Sequence, residues 1–105
     1  MDNGLSEEIS IKPNSMMLLN IYTSGIETTG NEVASSQDYV VIKNVGGTTT
    51  IVHQDNISQH YTTGSLAITL TANTSADTLQ IKATGTANPM RWISYVTGTE
   101  LFFAI

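Results

Sequence analysis

The sequence predicts an all-β fold, a two-sheet β-sandwich of jelly-roll type with about seven or eight antiparallel strands in one domain over residues 1–105. Three observations predict it. The chain holds 16 Thr, 10 Ser and 8 Asn, 34 of its 105 residues; Thr favours strands, Asn favours turns, and good helix formers are scarce. Short runs alternate apolar and polar residues at intervals of roughly ten, bounded by Gly, Pro, Asn and Ser clusters. No apolar pattern of helical period reaches the length of an ordinary helix.

Glu7 to Lys12 alternates, with Ile9 and Ile11 on one face and Glu8, Ser10 and Lys12 on the other. Pro13-Asn14 interrupts it. Ser15 to Thr23 is the second strand, with Met16, Met17, Leu18, Leu19, Ile21 and Tyr22 apolar on both parities. A strand buried on both faces, or facing a partner subunit, reads that way. A helix over Met16 to Tyr22 is the alternative, but Pro13 and the Tyr-Thr-Ser-Gly exit would make it unusually short. Ser24 to Gln37 reads as a long polar loop with a short irregular strand at Glu32 to Ala34. Loops of that length are often functional or held by a neighbour.

Asp38 to Val45 is the next strand, and Gly46-Gly47 signals a two-residue hairpin turn into Thr48 to His53. Gln54 to Gly64 is polar and reads as a loop holding both histidine neighbourhoods. Ser65 to Thr71 places Leu66, Ile68 and Leu70 inward, and Ala72 to Ala76 turns. Thr78 to Thr84 places Leu79, Ile81 and Ala83 inward with Gln80 and Lys82 outward. Gly85 to Pro89 turns again. Met90 to Val96 sets Met90, Trp92 and Val96 on one face and Arg91, Ile93 and Tyr95 on the other. Thr97-Gly98 then precedes a last run, Thr99 to Ile105.

Charge and composition exclude several classes of function. Four basic residues against nine acidic ones, net −5, oppose a phosphate-tracking surface, so no nucleic-acid partner is expected. With no cysteine there are neither disulfides nor thiolate zinc sites. No apolar run approaches the ~18 residues of a membrane span, and the acidic, polar opening Met1-Asp2-Asn3 does not suggest a signal peptide.

Candidate chemistry is sparse. His53 and His60 lie seven apart with Asp55 between them, residue types suited to metal ligation or general base work. Their spacing matches no closed zinc pattern. Copies around a threefold axis could assemble a histidine-lined ion site, but exposed loop histidines are the simpler reading. None of the 26 Ser and Thr residues sits in a nucleophile elbow or beside a distinctive base. Glu7 and Glu8 are adjacent, so on a strand they face opposite ways and cannot act as a glycosidase pair. Gly46-Gly47 lacks the lysine-serine ending and helix of a phosphate loop. The sequons at Asn56-Ile57-Ser58 and Asn73-Thr74-Ser75 would matter only in a secreted eukaryotic protein. The expectation is therefore no catalytic residue, no metal and no cofactor.

Trp92 is the expected core anchor, as the largest apolar group on an alternating strand. Arg91, the only arginine, could bond a carboxylate bidentately at a subunit contact or stand as a plain surface residue. Leu101-Phe102-Phe103-Ala104-Ile105 is apolar on both faces, as is Met16 to Ile21, and a lone monomer would leave one face wet. Met16, Met17, Leu19, Ile21, Arg91, Phe102, Phe103 and Ile105 are accordingly expected at contacts between subunits.

The stretch Leu79 to Val96 resembles a pattern near the C-terminus of small structural domains of tailed bacteriophages. There a strand ending in Thr-Gly leads through a short turn into an Arg-Trp strand with a small residue two positions on. Thr84-Gly85, Arg91-Trp92 and Ser94 match, while Pro89 in the turn departs from the pattern. The resemblance implies a non-enzymatic virion protein, often trimeric, assembled in the host cytoplasm. Its expected partners are further copies, the major capsid protein or other virion proteins. Among such roles a chain that opens on Met1 and runs 105 residues suits a free-standing head decoration (cement) protein better than a tail-fibre or spike module. A carbohydrate-binding tip is the alternative, and it requires at least two exposed coplanar aromatics on one face, Trp92 or Tyr95 among them. An enzyme would require His53 or His60 gathered with a carboxylate and a hydroxyl.

Overall fold

The computed structural model describes residues 4–102. Seven strands succeed one another, β1 (Gly4–Ser10), β2 (Ser15–Glu27), β3 (Val33–Val45), β4 (Thr48–Tyr61), β5 (Ala67–Asn73), β6 (Thr78–Thr84) and β7 (Met90–Phe102). They form two antiparallel sheets, β1-β6-β5 and β4-β3-β2-β7, with no helix among the described residues. The predicted all-β two-sheet architecture is therefore present. The sheets are unequal: the small one has seven-residue strands and the large one strands of 13 or 14. The small sheet covers one side of the large sheet, and no strand among the described residues covers the other.

The main core lies between the sheets. Leu19 and Ile21 from β2 and Val40 and Ile42 from β3 meet Leu70, Leu79 and Ile81 of the small sheet, closed by Ile11. Leu19 and Ile21 thus belong inside the monomer, which corrects their expected place at a subunit contact. Odd-numbered positions of β2 face the small sheet, and burying a Leu or Ile there contributes about 1.5–3 kcal/mol. This core is wholly aliphatic. A second cluster of Ala34, Leu66 and Met90 sits at the far end, flanked by Tyr61, Ile68 and Trp92. Trp92 is half-buried there and anchors this smaller cluster, not the main core.

Two predicted loops are strand. β2 continues to Glu27 and β3 begins at Val33, so only five residues turn between them. The alternation persists through Thr23, Gly25 and Glu27 on β2 and Ser36 and Asp38 on β3, all buried. It is invisible to a hydrophobicity pattern because the inward residues are polar or glycine. They are tolerated because they pair. Ser36 Oγ donates to Asp38 Oδ2 at 2.8 Å, and Asn56 Nδ2 donates to Asp38 Oδ1 at 2.9 Å, as buried polar groups require. Likewise β4 runs unbroken in chain to Tyr61, but its register against β3 shifts twice. Asp38 pairs with Asn56 while Gln37 pairs with Ser58, and Ile42 pairs with Ile51 while Val41 pairs with His53. Ile57 and Val52 are the extra residues of two bulges. Each bulge resets parity, which erases period-2 alternation from the sequence.

Elsewhere turn chemistry and structure agree. Gly46 and Gly47 carry φ of 61° and 84°, as a primed two-residue hairpin needs. Thr97-Gly98 does not separate two strands. β7 passes straight through Gly98, where an added Cβ would lie 2.2 Å from the Leu18 carbonyl oxygen. The β5–β6 turn is clasped to β4 by Thr49 Oγ1 donating to Asp77 Oδ1 at 2.8 Å, and to the β1–β2 connection by the Ile11 amide donating to Asp77 O at 2.9 Å.

Candidate functional site

The uncovered face of the large sheet is built from the even positions of β2 and the odd positions of β3 and β7. Pairing sets its rows. Ile26 lies opposite Arg91, Ser24 opposite Ile93, Tyr22 opposite Tyr95, and Met16 opposite Leu101. Ile93 is 69% exposed, Tyr95 63% and Leu101 56%, and Ile26 and Tyr22 are exposed beside them. The Tyr22 and Tyr95 rings stand 6.1 Å apart at 38°, and Gln37 Nε2 donates to the Tyr22 hydroxyl at 3.3 Å. Ser24, Gly25, Ile26, Arg91, Trp92 and Ile93 line a hollow of about 220 Å³. Gly25 makes this end possible, because the Trp92 ring occupies the space where a Cβ would stand, 2.4 Å from Cε3.

The predicted contact residues are dispersed. Arg91 is exposed on this face, with no carboxylate within salt-bridge distance among the described residues. Met16 is half-buried on it, and Met17 turns the other way to pack against the main core. Phe102 is exposed at the end of β7, with Lys12 Nζ 5.5 Å from its ring centroid. Phe103 and Ile105 lie outside the described residues. His53 and His60 lie on strand β4, not in a loop, and are exposed. His53 Nε2 meets Asp55 Oδ2 at 2.8 Å, and its ring tilts against Tyr39. His60 sits roughly 20 Å of strand away, opposite Ser35. No group of three His, Cys, Asp or Glu that could hold a metal occurs among the described residues.

Glu27 has a role the sequence did not signal. Its side chain is buried beside the Arg91 end of the face and accepts hydrogen bonds from Thr86 Oγ1, from Thr29 Oγ1 at 3.0 Å and from Asn88 Nδ2 at 3.2 Å. The Thr28 amide also donates to Pro89 O at 3.0 Å. Together these bonds tie the β6–β7 turn to the β2–β3 turn. The Thr86 hydroxyl above all, then Asn88 and Thr29, holds the Glu27 carboxyl below its ordinary 4.5 against the opposing effect of burial. Glu8 does the same on the outside of the small sheet. Donors from Gln80, Thr78 and Asn73 lower its pKa and join β1 to β6 and β5. Burial pushes the Tyr61 phenol up, although its oxygen accepts the Ile68 amide at 2.8 Å.

The other distinctive feature is the pair of sheet edges. β7 ends one side of the large sheet and β4 the other. β7 pairs with β2 over thirteen consecutive residues, Ser15↔Phe102 to Glu27↔Met90, without a register shift. Between Arg91 and Glu100 it carries no charge, no proline and four β-branched residues in Trp92 to Thr99. No protein-family model matches the chain, and neither does any curated protein.

Proposed function

We propose that the chain is a non-enzymatic structural subunit that works by being buried in an assembly, with capsid decoration in a tailed phage as the specific role. The observation that carries the assembly reading is the uncovered face of the large sheet, where Ile26, Ile93, Tyr22, Tyr95 and Leu101 are exposed on one side of a single sheet. Large apolar residues exposed together on one face mark an interaction site. Its polar members are mostly Thr, Ser, Asn and Gln, which can be desolvated without stranding ions. The virion role is supported by the Thr84-Gly85, Arg91-Trp92 and Ser94 resemblance. A cement protein binds the assembled shell and not its free subunits, and so stabilises the shell by mass action. The test is cosedimentation of the purified protein with expanded phage heads and, separately, with unassembled capsid subunits. Binding to heads alone is expected. Absence of binding to heads overturns the virion role.

One observation favours the carbohydrate-binding alternative. Tyr22 and Tyr95 are both exposed on one face, with the Gln37 amide beside them. Their 38° tilt departs from a flat platform. Glycan-array binding abolished by Tyr95→Ala would favour this reading over cement.

A further inference from the structure

We propose that β7 is a pairing edge for a second copy of this chain, giving an antiparallel β7–β7 dimer with one continuous eight-stranded sheet. The proposal rests on the assembly reading and names its first partner.

An edge strand exposes unpaired N–H and C=O groups, and proteins blunt such edges with bulges, charges, proline or short length. The other edges among the described residues are blunted or shorter. β4 carries two bulges and the polar run His53, Gln54, Asp55 and Asn56. β1 and β5 have seven residues each, and β1 carries Glu7 and Glu8. β7 has no bulge and no proline over thirteen residues, and no charge between Arg91 and Glu100. In antiparallel sheet, alternate residues direct both backbone groups away from the inner neighbour, so about half of β7 presents donors and acceptors outward.

Three features select a second copy as the occupant. An antiparallel edge is its own complement under a twofold axis normal to the sheet, because that rotation reverses the strand and preserves the faces. The charges agree with this orientation. Arg91 and Glu100 stand near opposite ends of β7 and on opposite faces of it, so antiparallel pairing sets Arg91 opposite the partner's Leu101 and Glu100 opposite the partner's Trp92, and no like charges meet. Parallel pairing would align like with like. The third feature is closure. With β4 blunted, pairing through β7 consumes the open edge of the large sheet in each copy, and that sheet stops at two copies.

Full overlap centres the axis on Val96. Ile93 then lies opposite the partner's Thr99 and Tyr95 opposite the partner's Thr97, so exposed apolar residues gain cross-strand neighbours. The uncovered faces of the two copies merge into one broad surface. This twofold arrangement takes the place of the threefold packing that the phage resemblance implies.

The test uses the full chain in sedimentation velocity and light scattering across a dilution series. A dimer is expected. Ile93→Lys and Tyr95→Lys should each weaken it about tenfold or more, a loss typical of an interface contact. Their far-UV spectra should stay unchanged, because both side chains are exposed. Gln54→Lys on β4 should leave the dimer intact. Amide exchange should show Trp92 to Thr99 protected in the dimer and less protected in the lysine variants. A monomer at the highest concentration, a trimer, or a dimer indifferent to both lysines overturns the pairing. A monomer that still binds phage heads overturns the pairing alone; a dimer that ignores them overturns the virion role alone.

Discussion

The two edges of the large sheet differ in almost every property that governs pairing. β4 has two bulges, at Val52 and Ile57. Its inward positions Gln54, Asn56 and Gln59 are polar and exposed, because the small sheet does not reach over them. β7 is straight in register, uncharged through its centre and rich in Trp, Ile, Tyr, Val and Thr. The contrast teaches that edge protection is local. One sheet carries a strand shaped to end hydrogen bonding and another shaped to continue it.

The largest expected effect comes from detaching β7. Gly98→Val would force a side chain into the Leu18 carbonyl and Leu19, and overpacking against backbone should cost about 3 kcal/mol. Chemical denaturation would measure it, and dimerisation should fall with it. Gly25→Ala is next. Its methyl would displace the Trp92 ring at a cost of about 1–2 kcal/mol, with a red shift of tryptophan emission as the indole moves towards water.

Glu27 gives a pH-dependent test of the turn that launches β7. Its folded pKa lies below 4.5, so its stabilising contribution is fully present above that value. It is lost as pH falls through the lowered folded pKa. Thermal melts of the wild type should therefore drop more steeply on acidification than those of Glu27→Gln. The residual slope of the variant reports Glu8, whose pKa is lowered in the same direction.

The smallest effect on stability, and the sharpest on the comparison, comes from deleting Val52 and Ile57. The flanking pairs Ile42↔Ile51, Val41↔His53, Asp38↔Asn56 and Gln37↔Ser58 already exist, so removal leaves a regular ladder. Stability should change by about 1 kcal/mol or less. With both edges straight, light scattering should show growth beyond the dimer. Unchanged mass would show that the bulges do not protect β4.

The strands legible in sequence are those whose inward residues are apolar. Leu79, Ile81 and Ala83 on β6, and Leu66 and Leu70 around β5, read directly, as did the Gly46-Gly47 hairpin. The second halves of β2 and β4 did not. In β2 the inward residues are Thr23, Gly25 and Glu27; Thr23 meets the Ser94 hydroxyl on β7, and Glu27 accepts hydrogen bonds from the two neighbouring turns. In β4 two bulges break the parity. Of the candidate site, Arg91 was singled out and lies on the exposed face. Tyr95 was named as a candidate exposed aromatic of a carbohydrate-binding face, but its meeting with Tyr22 depends on β2–β7 register. Leu19 and Ile21 were placed at a contact because apolar residues on both parities of β2 do not say which parity meets the protein's own second sheet.

By itself the sequence determined the class of fold, the turns and the low-charge surface, since these follow from propensity, local backbone conformation and composition. Only the tertiary structure decided which face of β2 is core and which is open, and that β7 ends the sheet unprotected while β4 is blunted. Those outcomes depend on which strands lie side by side and how far the small sheet extends, and no local property of a strand specifies its neighbours.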